Sequence, residues 1–223
     1  FAGAEAYNEA LQELPYPLTA YEQVGGYAEQ LNVSGNGLMG YITIDAIDVQ
    51  IPMYHGTSDA VLNVAVGHLE GSSLPVGGKG THAVLSAHRG LPSARLFTDL
   101  DELVAGDEFS LTVLDRQMTY RVSDVWVVEP HEIDTLAMEA DKDLVTLFTC
   151  TPYGINTHRI LVRGERVPTP VAETIPYEHP QITQTPSMIP ALWILFILLI
   201  VLMVGVVRRR VKQRRRTALE NPA

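Results

Sequence analysis

Cysteine is almost absent from this sequence, since Cys150 is the only one among its 223 residues. A single cysteine excludes an intramolecular disulfide and any zinc site built on pairs of cysteines. The thiol is therefore either a small buried packing residue or a group whose reactivity is used. The residues around Cys150 in the sequence are needed to distinguish these two interpretations.

Positive charge is also scarce outside one segment near the end of the chain. Seven of the 16 Lys and Arg residues lie between Arg208 and Arg216, so residues 1–188 carry nine of them against 25 Asp and Glu residues, a formal charge of −16. So acidic a segment repels nucleic acid and anionic lipid, and we expect no DNA or RNA partner. The sequence also lacks the motifs of metal sites and of phosphate-binding loops, so we expect no metal and no cofactor.

One long apolar run is present, IPALWILFILLIVLMVGVV at residues 189–207. It carries no charge and is long enough to cross a hydrocarbon core of about 30 Å. The basic run RRRVKQRRR follows it directly and predicts a cytoplasmic side. We therefore expect one C-terminal transmembrane helix at 189–207, a cytoplasmic tail at 208–223 and an extracellular location for everything before it.

The segments before this run differ clearly in composition. Residues 1–14 are rich in helix formers and end at a proline, which predicts a helix. The segment that follows is rich in Gly, Pro, Tyr and Asn, which predicts an irregular arm outside the core. We therefore assign residues 1–36 to a helix and arm, residues 37–167 to a folded β domain and residues 168–188 to a Pro and Thr-rich extracellular linker.

Short runs with a period of two dominate the folded segment, which predicts strands. EFSLTVLDRQMTYRVSDVWVV reads as a hairpin around its polar centre. Several short strands with few helices predict a mainly β barrel or sandwich. The other alternating runs are LMGYITI, VQIPMYHG, HAVLSAHRG, DLVTLFTC and RILVRGERV.

The last two of these runs bring the cysteine close to an arginine. If residues 144–150 and 159–166 are antiparallel neighbours, Cys150 and Arg159 face each other across the mouth of their loop. A guanidinium there favours a thiolate and can hold the oxyanion that forms when the thiolate attacks a carbonyl. The alternative interpretation is that neither residue takes part in chemistry, with Cys150 buried for packing and Arg159 on the surface.

A thiol nucleophile in acyl transfer also needs a proton donor, and histidine is the usual one. His88 lies near the end of an alternating run that stops at Gly90, where a side chain can project into a cleft, and His158 adjoins Arg159. Both remain candidates on spacing alone. The other histidines adjoin Gly or Thr in predicted turns, or lie beside prolines: His55, His68, His82, His131 and His179.

Beyond these general patterns, TLFTCTPYGINTHRILVRG at 146–164 resembles the T-L-x-T-C signature and the following arginine of sortases. Its continuation resembles the class C, or pilus-assembling, branch of that family. LSAHRGLPSARLFTDL resembles the segment around the family's catalytic histidine, and the resemblance spans residues 36–167. Further segments that resemble class C elements in the same order are NGLMGYITI, IPMYHGTS and VGHLEGSSLPVGG.

The resemblance implies a closed eight-stranded β-barrel with short helices. It implies that Cys150 is the nucleophile, His88 the general acid and base, and Arg159 the residue that binds carbonyls and the oxyanion. Thr149 and Thr151, which flank the cysteine, are candidate substrate-binding residues. Sortases cleave LPxTG-like sorting signals between Thr and Gly through a thioester, without a cofactor. In class C, a pilin lysine accepts the acyl group, and isopeptide-linked pili form on a Gram-positive surface.

One departure from the class C pattern concerns the arm. Class C enzymes usually have a lid with an Asp-Pro-aromatic motif over the cysteine, and no such motif occurs between Pro15 and Asn36. Tyr21 and Tyr27 are candidate replacements. Three other functions remain open: attachment of proteins to the peptidoglycan precursor, hydrolysis by a thiol peptidase, and an inactive β-barrel that serves as an adhesion or scaffold module.

Overall fold

The computed structural model describes residues 1–91 and 94–170. Its main feature is a closed barrel of eight strands in the order β1-β2-β3-β4-β7-β8-β6-β5. The mainly β, eight-stranded barrel with short helices is therefore confirmed. The strands are β1 (Leu38–Ile44), β2 (Val49–His55), β3 (Val66–His68), β4 (Thr81–Ser86), β5 (Glu108–Val113), β6 (Arg116–Val128), β7 (Asp143–Thr151) and β8 (His158–Val167).

Helices are few and short, as the sequence predicts. They are α1 (Ala2–Gln12), α2 (Pro17–Ala20) and α3 (Asp59–Leu62), with single 3-10 turns at Tyr21–Gln23, Tyr27–Glu29, Asp45–Ile47, Leu100–Glu102 and Asp134–Leu136. No helix in the described ranges is long and apolar enough to span a membrane. The predicted transmembrane run at 189–207, the basic tail and nearly all of the predicted linker lie outside the described residues.

Two of the strand pairs determine where the candidate site lies. β4 pairs with β7 in parallel, and β7 pairs with β8 in antiparallel orientation. β7 is therefore flanked by β4 on one side and β8 on the other. All remaining neighbours are antiparallel except β2 and β3.

The interior of the barrel is filled by apolar side chains that alternate along the strands. Val145 and Leu147 of β7, with Leu85 of β4 and Val162 of β8, are fully buried there. Because side chains alternate, the intervening residues of these strands face outwards. A second, smaller cluster covers part of this outer face and contains Val84, Leu136 and Leu161, packed against Leu18, Leu69, Trp126, Val128 and Phe148.

The N-terminal arm packs against the barrel, so the expectation that it lies outside the core is wrong. Leu31 of the arm is buried, and Tyr21, Val24 and Tyr27 pack against the core. Tyr7 and Leu11 of α1 are buried in the same cluster as the barrel interior. The Gly and Pro-rich composition predicted the irregular backbone correctly. It held no information on burial, which depends on contacts with distant strands.

Candidate active site

Cys150 lies at the end of β7, on the outer face of the barrel. Val145 and Leu147 of β7 point into the interior of the barrel. Because side chains alternate along a strand, Phe148 and Cys150 both point to the outer face. The thiol is partly exposed rather than sealed in the core. It is accessible to a reagent or a substrate.

Arg159 is the direct partner of Cys150 in the neighbouring strand, as its spacing predicts. The register of β7 and β8 pairs Cys150 with Arg159, and directly opposed residues of antiparallel strands project on the same face. Arg159 Nη1 donates to the carbonyl oxygens of Asn156 at 3.2 Å and His158 at 3.0 Å. The guanidinium is thus held by the backbone of the loop that joins the two strands.

His88 lies just beyond the end of β4, the strand that pairs with β7 on the side opposite β8. The parallel register pairs Ser86 with Phe148, and Ala87 N donates to Phe148 O at 3.4 Å beyond the end of the strand. If this register continues for two more residues, His88 is level with Cys150 on the neighbouring chain segment, at the usual spacing of about 4.8 Å between paired strands. No hydrogen bond between the two side chains is present among the described residues. Such bonds are often long in unliganded enzymes and tighten with substrate.

Four other histidines have structural partners. Three of them were predicted to lie in turns, but they lie in strands. His55 ends β2, His68 ends β3 and His82 lies in β4, where its Nδ1 donates to Ala137 O (2.9 Å) and its Nε2 accepts from Thr146 Oγ1 (2.7 Å). His158 bonds to Glu129 Oε1 at 3.2 Å. It adjoins Arg159, so the strand alternation turns its ring to the opposite face.

Thr149 and Thr151 use their hydroxyl groups within the protein. Thr149 Oγ1 donates to Ala87 O at 2.7 Å, and this bond is buried. Thr151 Oγ1 accepts from Arg89 Nη1 at 3.2 Å. Both bonds join the segment that carries Cys150 to the segment that carries His88. Arg89 was not predicted from the sequence, although it directly follows His88.

The two tyrosines considered as lid residues bind on the side of β2 and β3. Tyr27 Oη lies 2.9 Å from His68 Nδ1, and it accepts from Gly56 N at 3.1 Å. Tyr21 Oη donates to Glu70 Oε2 at 3.1 Å. In the arm, Leu18 packs on the outer face of the barrel, in the cluster that contains Phe148.

A cavity of about 350 Å³ opens between the arm and the loop that joins β6 to β7. Its walls are mostly apolar, with Pro17 and Leu18 on one side and Leu136 and Met138 on the other. Leu18 and Leu136 also belong to the outer cluster next to Phe148, but the residues that line the cavity do not include Cys150, His88 or Arg159. An extended apolar peptide segment is the type of ligand that such walls accommodate.

Charged groups fix the loop that forms one wall of this cavity. Arg163 of β8 bonds to Asp124 Oδ2 at 2.9 Å and Glu139 Oε1 at 3.0 Å, and it stacks over Trp126 at 4.6 Å. The hydrogen bond from Arg163 holds the pKa of Asp124 below its usual value. Burial lowers the pKa of His82, so its ring is neutral where it binds the loop carbonyl of Ala137.

Within the described ranges, no group of three or more His, Cys, Asp or Glu side chains is arranged to hold a metal ion. The segment after β4, the end of β7 and the start of β8 carry one imidazole, one thiol and one guanidinium: His88, Cys150 and Arg159.

Comparison with known proteins gives the family. The profile of the family described as "Sortase domain" matches residues 42–167. The crystal structure of sortase C1 from Streptococcus agalactiae is 48% identical, with a TM-score of 0.70, over 74% of this chain and 86% of that one. Sortase C of Streptococcus pneumoniae is 46% identical, with a TM-score of 0.65, over 74% and 85% of the two chains.

A curated relative, sortase D of Bacillus subtilis, is 28% identical over 131 residues, which are 57% of this chain and 63% of the relative. The chain thus spans less than two thirds of the length of that relative. The profile match covers more than half of the chain, and the similar solved structures are class C sortases whose barrels align with this one. The chain therefore belongs to the sortase family, with its structural similarity on the class C side.

Proposed function

We propose that this protein is a class C sortase, a cysteine transpeptidase in which Cys150 is the nucleophile, His88 the general acid and base, and Arg159 the carbonyl and oxyanion ligand. The observation that carries the proposal is the strand order β4-β7-β8 with its register. This register supports a thiol flanked by imidazole on one side and guanidinium on the other, all on the outer face.

In the first half of the reaction, the thiolate of Cys150 attacks the carbonyl of the Thr residue in an LPxTG-like sorting signal. The carbonyl oxygen takes up negative charge, which the guanidinium of Arg159 stabilises. The C–N bond to Gly then breaks, and the imidazolium of His88 gives its proton to the leaving amine. The product is a thioester on Cys150 and a released fragment with a free amino group.

In the second half, a neutral amine attacks the thioester. His88, now neutral, takes the proton that the amine loses, and the C–S bond breaks to return the thiolate. The energy of the original peptide bond is retained in the thioester, so no nucleotide is consumed. For a class C enzyme the amine is a pilin lysine and the product an isopeptide-linked pilus. The solved Streptococcus pneumoniae sortase C, described in terms of pilin substrate specificity, supports this choice.

The alternative acceptor within the same chemistry is the amine of a peptidoglycan precursor, and water would give plain hydrolysis. All three share the acyl-enzyme, so the acceptor has to be tested separately. The cavity between the arm and the β6–β7 loop, with its apolar walls, supports binding of the apolar part of the sorting signal for any of them.

The test begins by trapping the acyl-enzyme with a panel of LPxTG-type peptides and weighing the intact protein by mass spectrometry. One adduct is expected, on the single thiol of the chain. A pilin lysine peptide, a peptidoglycan stem peptide and water are then offered in competition. Mainly lysine-linked product supports pilus assembly, and mainly stem-peptide product supports cell-wall anchoring. Formation of equal product by Cys150→Ala would overturn the proposal.

We also propose that the catalytic barrel faces outwards from the cell membrane, on a helix formed by residues 189–207. The support is the uncharged run followed by the basic run in the sequence. The lone thiol provides the test, because a membrane-impermeant maleimide should label Cys150 in intact protoplasts. Labelling that requires lysis of the protoplasts would contradict this orientation.

A further inference from the structure

Arg89, the residue after the proposed catalytic histidine, is bound on several sides. Its Nη1 donates to Thr151 Oγ1 at 3.2 Å, and its Nη2 lies 2.6 Å from Asp101 Oδ2. Its side chain is only 10% exposed, and its guanidinium carbon lies 6.0 Å from the centre of the Tyr153 ring. The arginine thus joins three separate segments of the chain next to the site.

The bond from Arg89 to Thr151 has a counterpart on the other side of the two reactive residues. Thr149 Oγ1 donates to Ala87 O, one residue before Cys150 and one before His88. The Arg89 to Thr151 bond joins the residues one after each of them. Regular pairing of β4 with β7 ends at Ser86 and Phe148, so these two bonds continue the connection past the end of the ladder.

Arg89 does not lie on the face that the substrate would use. Thr151 follows Cys150 in β7 and therefore projects to the opposite side of the strand, and the guanidinium of Arg89 lies against the Thr151 hydroxyl. A carboxylate, Asp101, already balances its charge. Any effect of Arg89 on the reaction is therefore exerted through the positions of His88 and Cys150 and not through contact with substrate.

We propose that Arg89 is a positioning residue, which fixes the separation of the His88 segment from the Cys150 segment by bonding to Thr151 with its guanidinium braced on Asp101. The inference rests on the proposed transpeptidase function. A planar fork of donors is suited to this role, because it addresses a hydroxyl and a carboxylate at once in a fixed geometry. A lysine offers a single point charge and can satisfy only one of the two partners well.

The test compares Arg89→Gln, Arg89→Lys and Thr151→Val with a matched control, Arg95→Gln. Arg95 follows closely in the chain and also pairs with an aspartate at 2.6 Å, Asp99, but its side chain is 61% exposed and it has no bond to the β7 segment. The readouts are kcat and KM for acyl-enzyme formation with an LPxTG-type peptide. A third readout is the pH profile of alkylation of Cys150 by iodoacetamide, which requires no substrate.

We expect Arg89→Gln to lower kcat by roughly ten- to a hundredfold with KM almost unchanged, since small misplacements of reacting groups have effects of this size. Arg89→Lys should recover part of the rate, Thr151→Val should reproduce much of the loss, and Arg95→Gln should behave as the wild type. The alkylation profile should change in Arg89→Gln in the same sense as in His88→Ala. Circular dichroism and the midpoint of thermal unfolding confirm that each variant is folded.

The outcomes separate this inference from the proposed function. If the wild type forms no acyl-enzyme with any peptide of the panel, the proposed function fails, and the alkylation profile still decides whether Arg89 positions the pair. If the wild type reacts and folded Arg89→Gln reacts at the same rate with the same alkylation profile, the positioning role is overturned. Equal losses in Arg89→Gln and Arg95→Gln would also overturn it, because the effect would then be a general loss of a surface ion pair.

Discussion

Arg159 shows how a single residue is prepared for its proposed task by the backbone around it. One terminal nitrogen of its guanidinium donates to two carbonyl oxygens of the β7–β8 loop, at Asn156 and His158. The other donors of the fork are left for a ligand, since they make no hydrogen bond to a described residue. An arginine fixed in this way can meet a developing oxyanion without reorganising, which is what makes such groups effective.

Replacing Arg159 should therefore slow acyl transfer more than it weakens binding. We expect Arg159→Gln to lower kcat for acyl-enzyme formation by about a hundredfold, the usual size for loss of an oxyanion ligand. Arg159→Lys keeps the charge without the fork and should recover only part of it. Single-turnover kinetics would measure both. Arg121→Gln, which removes an exposed arginine paired with Glu108, is the control. Wild-type rates in Arg159→Gln would contradict the proposed role.

Gly90 is required where it stands because of the ring that packs on it. It has a φ of +78°, and a Cβ there would lie 2.8 Å from Cε2 of Tyr153. We expect Gly90→Ala to lower the free energy of unfolding by about 1 kcal/mol through backbone strain, and further through the displaced ring. Gly35→Ala is the matched control, with a φ of +72° and nothing within 4 Å. Equal losses in urea unfolding would show that the ring contact contributes nothing.

Among the elements, the N-terminal arm makes several of its polar contacts with the barrel through Tyr27. Tyr27 bonds to the ring of His68, and its oxygen also accepts from Gly56 N. His68 Nε2 lies 2.8 Å from Ser73 O, and a carbonyl oxygen can only accept, so Nε2 carries the proton of the neutral ring. Nδ1 therefore accepts from the hydroxyl group of Tyr27. The arm therefore binds one tautomer of a fully buried histidine, the one with its proton on Nε2.

Tyr27→Phe should leave these buried partners without hydrogen bonds. We expect the free energy of unfolding to fall by about 2 kcal/mol, because unsatisfied buried donors and acceptors retain the full cost of their lost hydration. Tyr41→Phe, at an exposed strand position, should change it by less than about 0.5 kcal/mol. Chemical denaturation of both variants gives the comparison. Hydrogen exchange in residues 15–36 would show whether the arm alone is loosened, and an unchanged exchange rate would contradict this account.

The strands were predictable to the extent that each alternates between the interior and the outer face. β5 and β6 form the predicted hairpin, and β7 and β8 pair with the predicted partners Cys150 and Arg159. β3 has no such signature, because its three residues are all buried and its central one is Gly67. The count of eight strands came from the resemblance to sortases rather than from periodicity.

The same distinction applies to the candidate site, where only the residues that are close in the sequence could be placed together by a local pattern. Cys150 and Arg159 lie close together in sequence, so one hairpin places them. The segments that carry His88 and Cys150 are neighbours only through the parallel pairing of β4 with β7, and no local pattern predicts a pairing between segments so far apart in the chain. Arg89 was missed for a related reason, since its partners Thr151 and Asp101 come from two other segments.

At the scale of the whole molecule, two neutral histidines hold outlying segments on the barrel. His68 binds the N-terminal arm through Tyr27, and His82 binds the β6–β7 loop through Ala137 O. Burial lowers the pKa of both rings. The N-terminal arm and the β6–β7 loop are thus attached to the barrel through groups that tolerate a proton poorly.

Acid should consequently destabilise the fold through these rings. The pKa of His68 is lowered from 6.5 to about 4 in the folded protein, so the unfolded chain binds more protons between these values. Its contribution is therefore fully present above pH 6.5 and is lost as the pH falls towards about 4, to a total of about 3 kcal/mol. Urea unfolding across this range should show a flatter pH dependence in His68→Gln than in the wild type. His131→Gln, at an exposed ring, should retain the wild-type slope. Parallel profiles for wild type and His68→Gln would mean that His68 is not the group that couples protonation to stability.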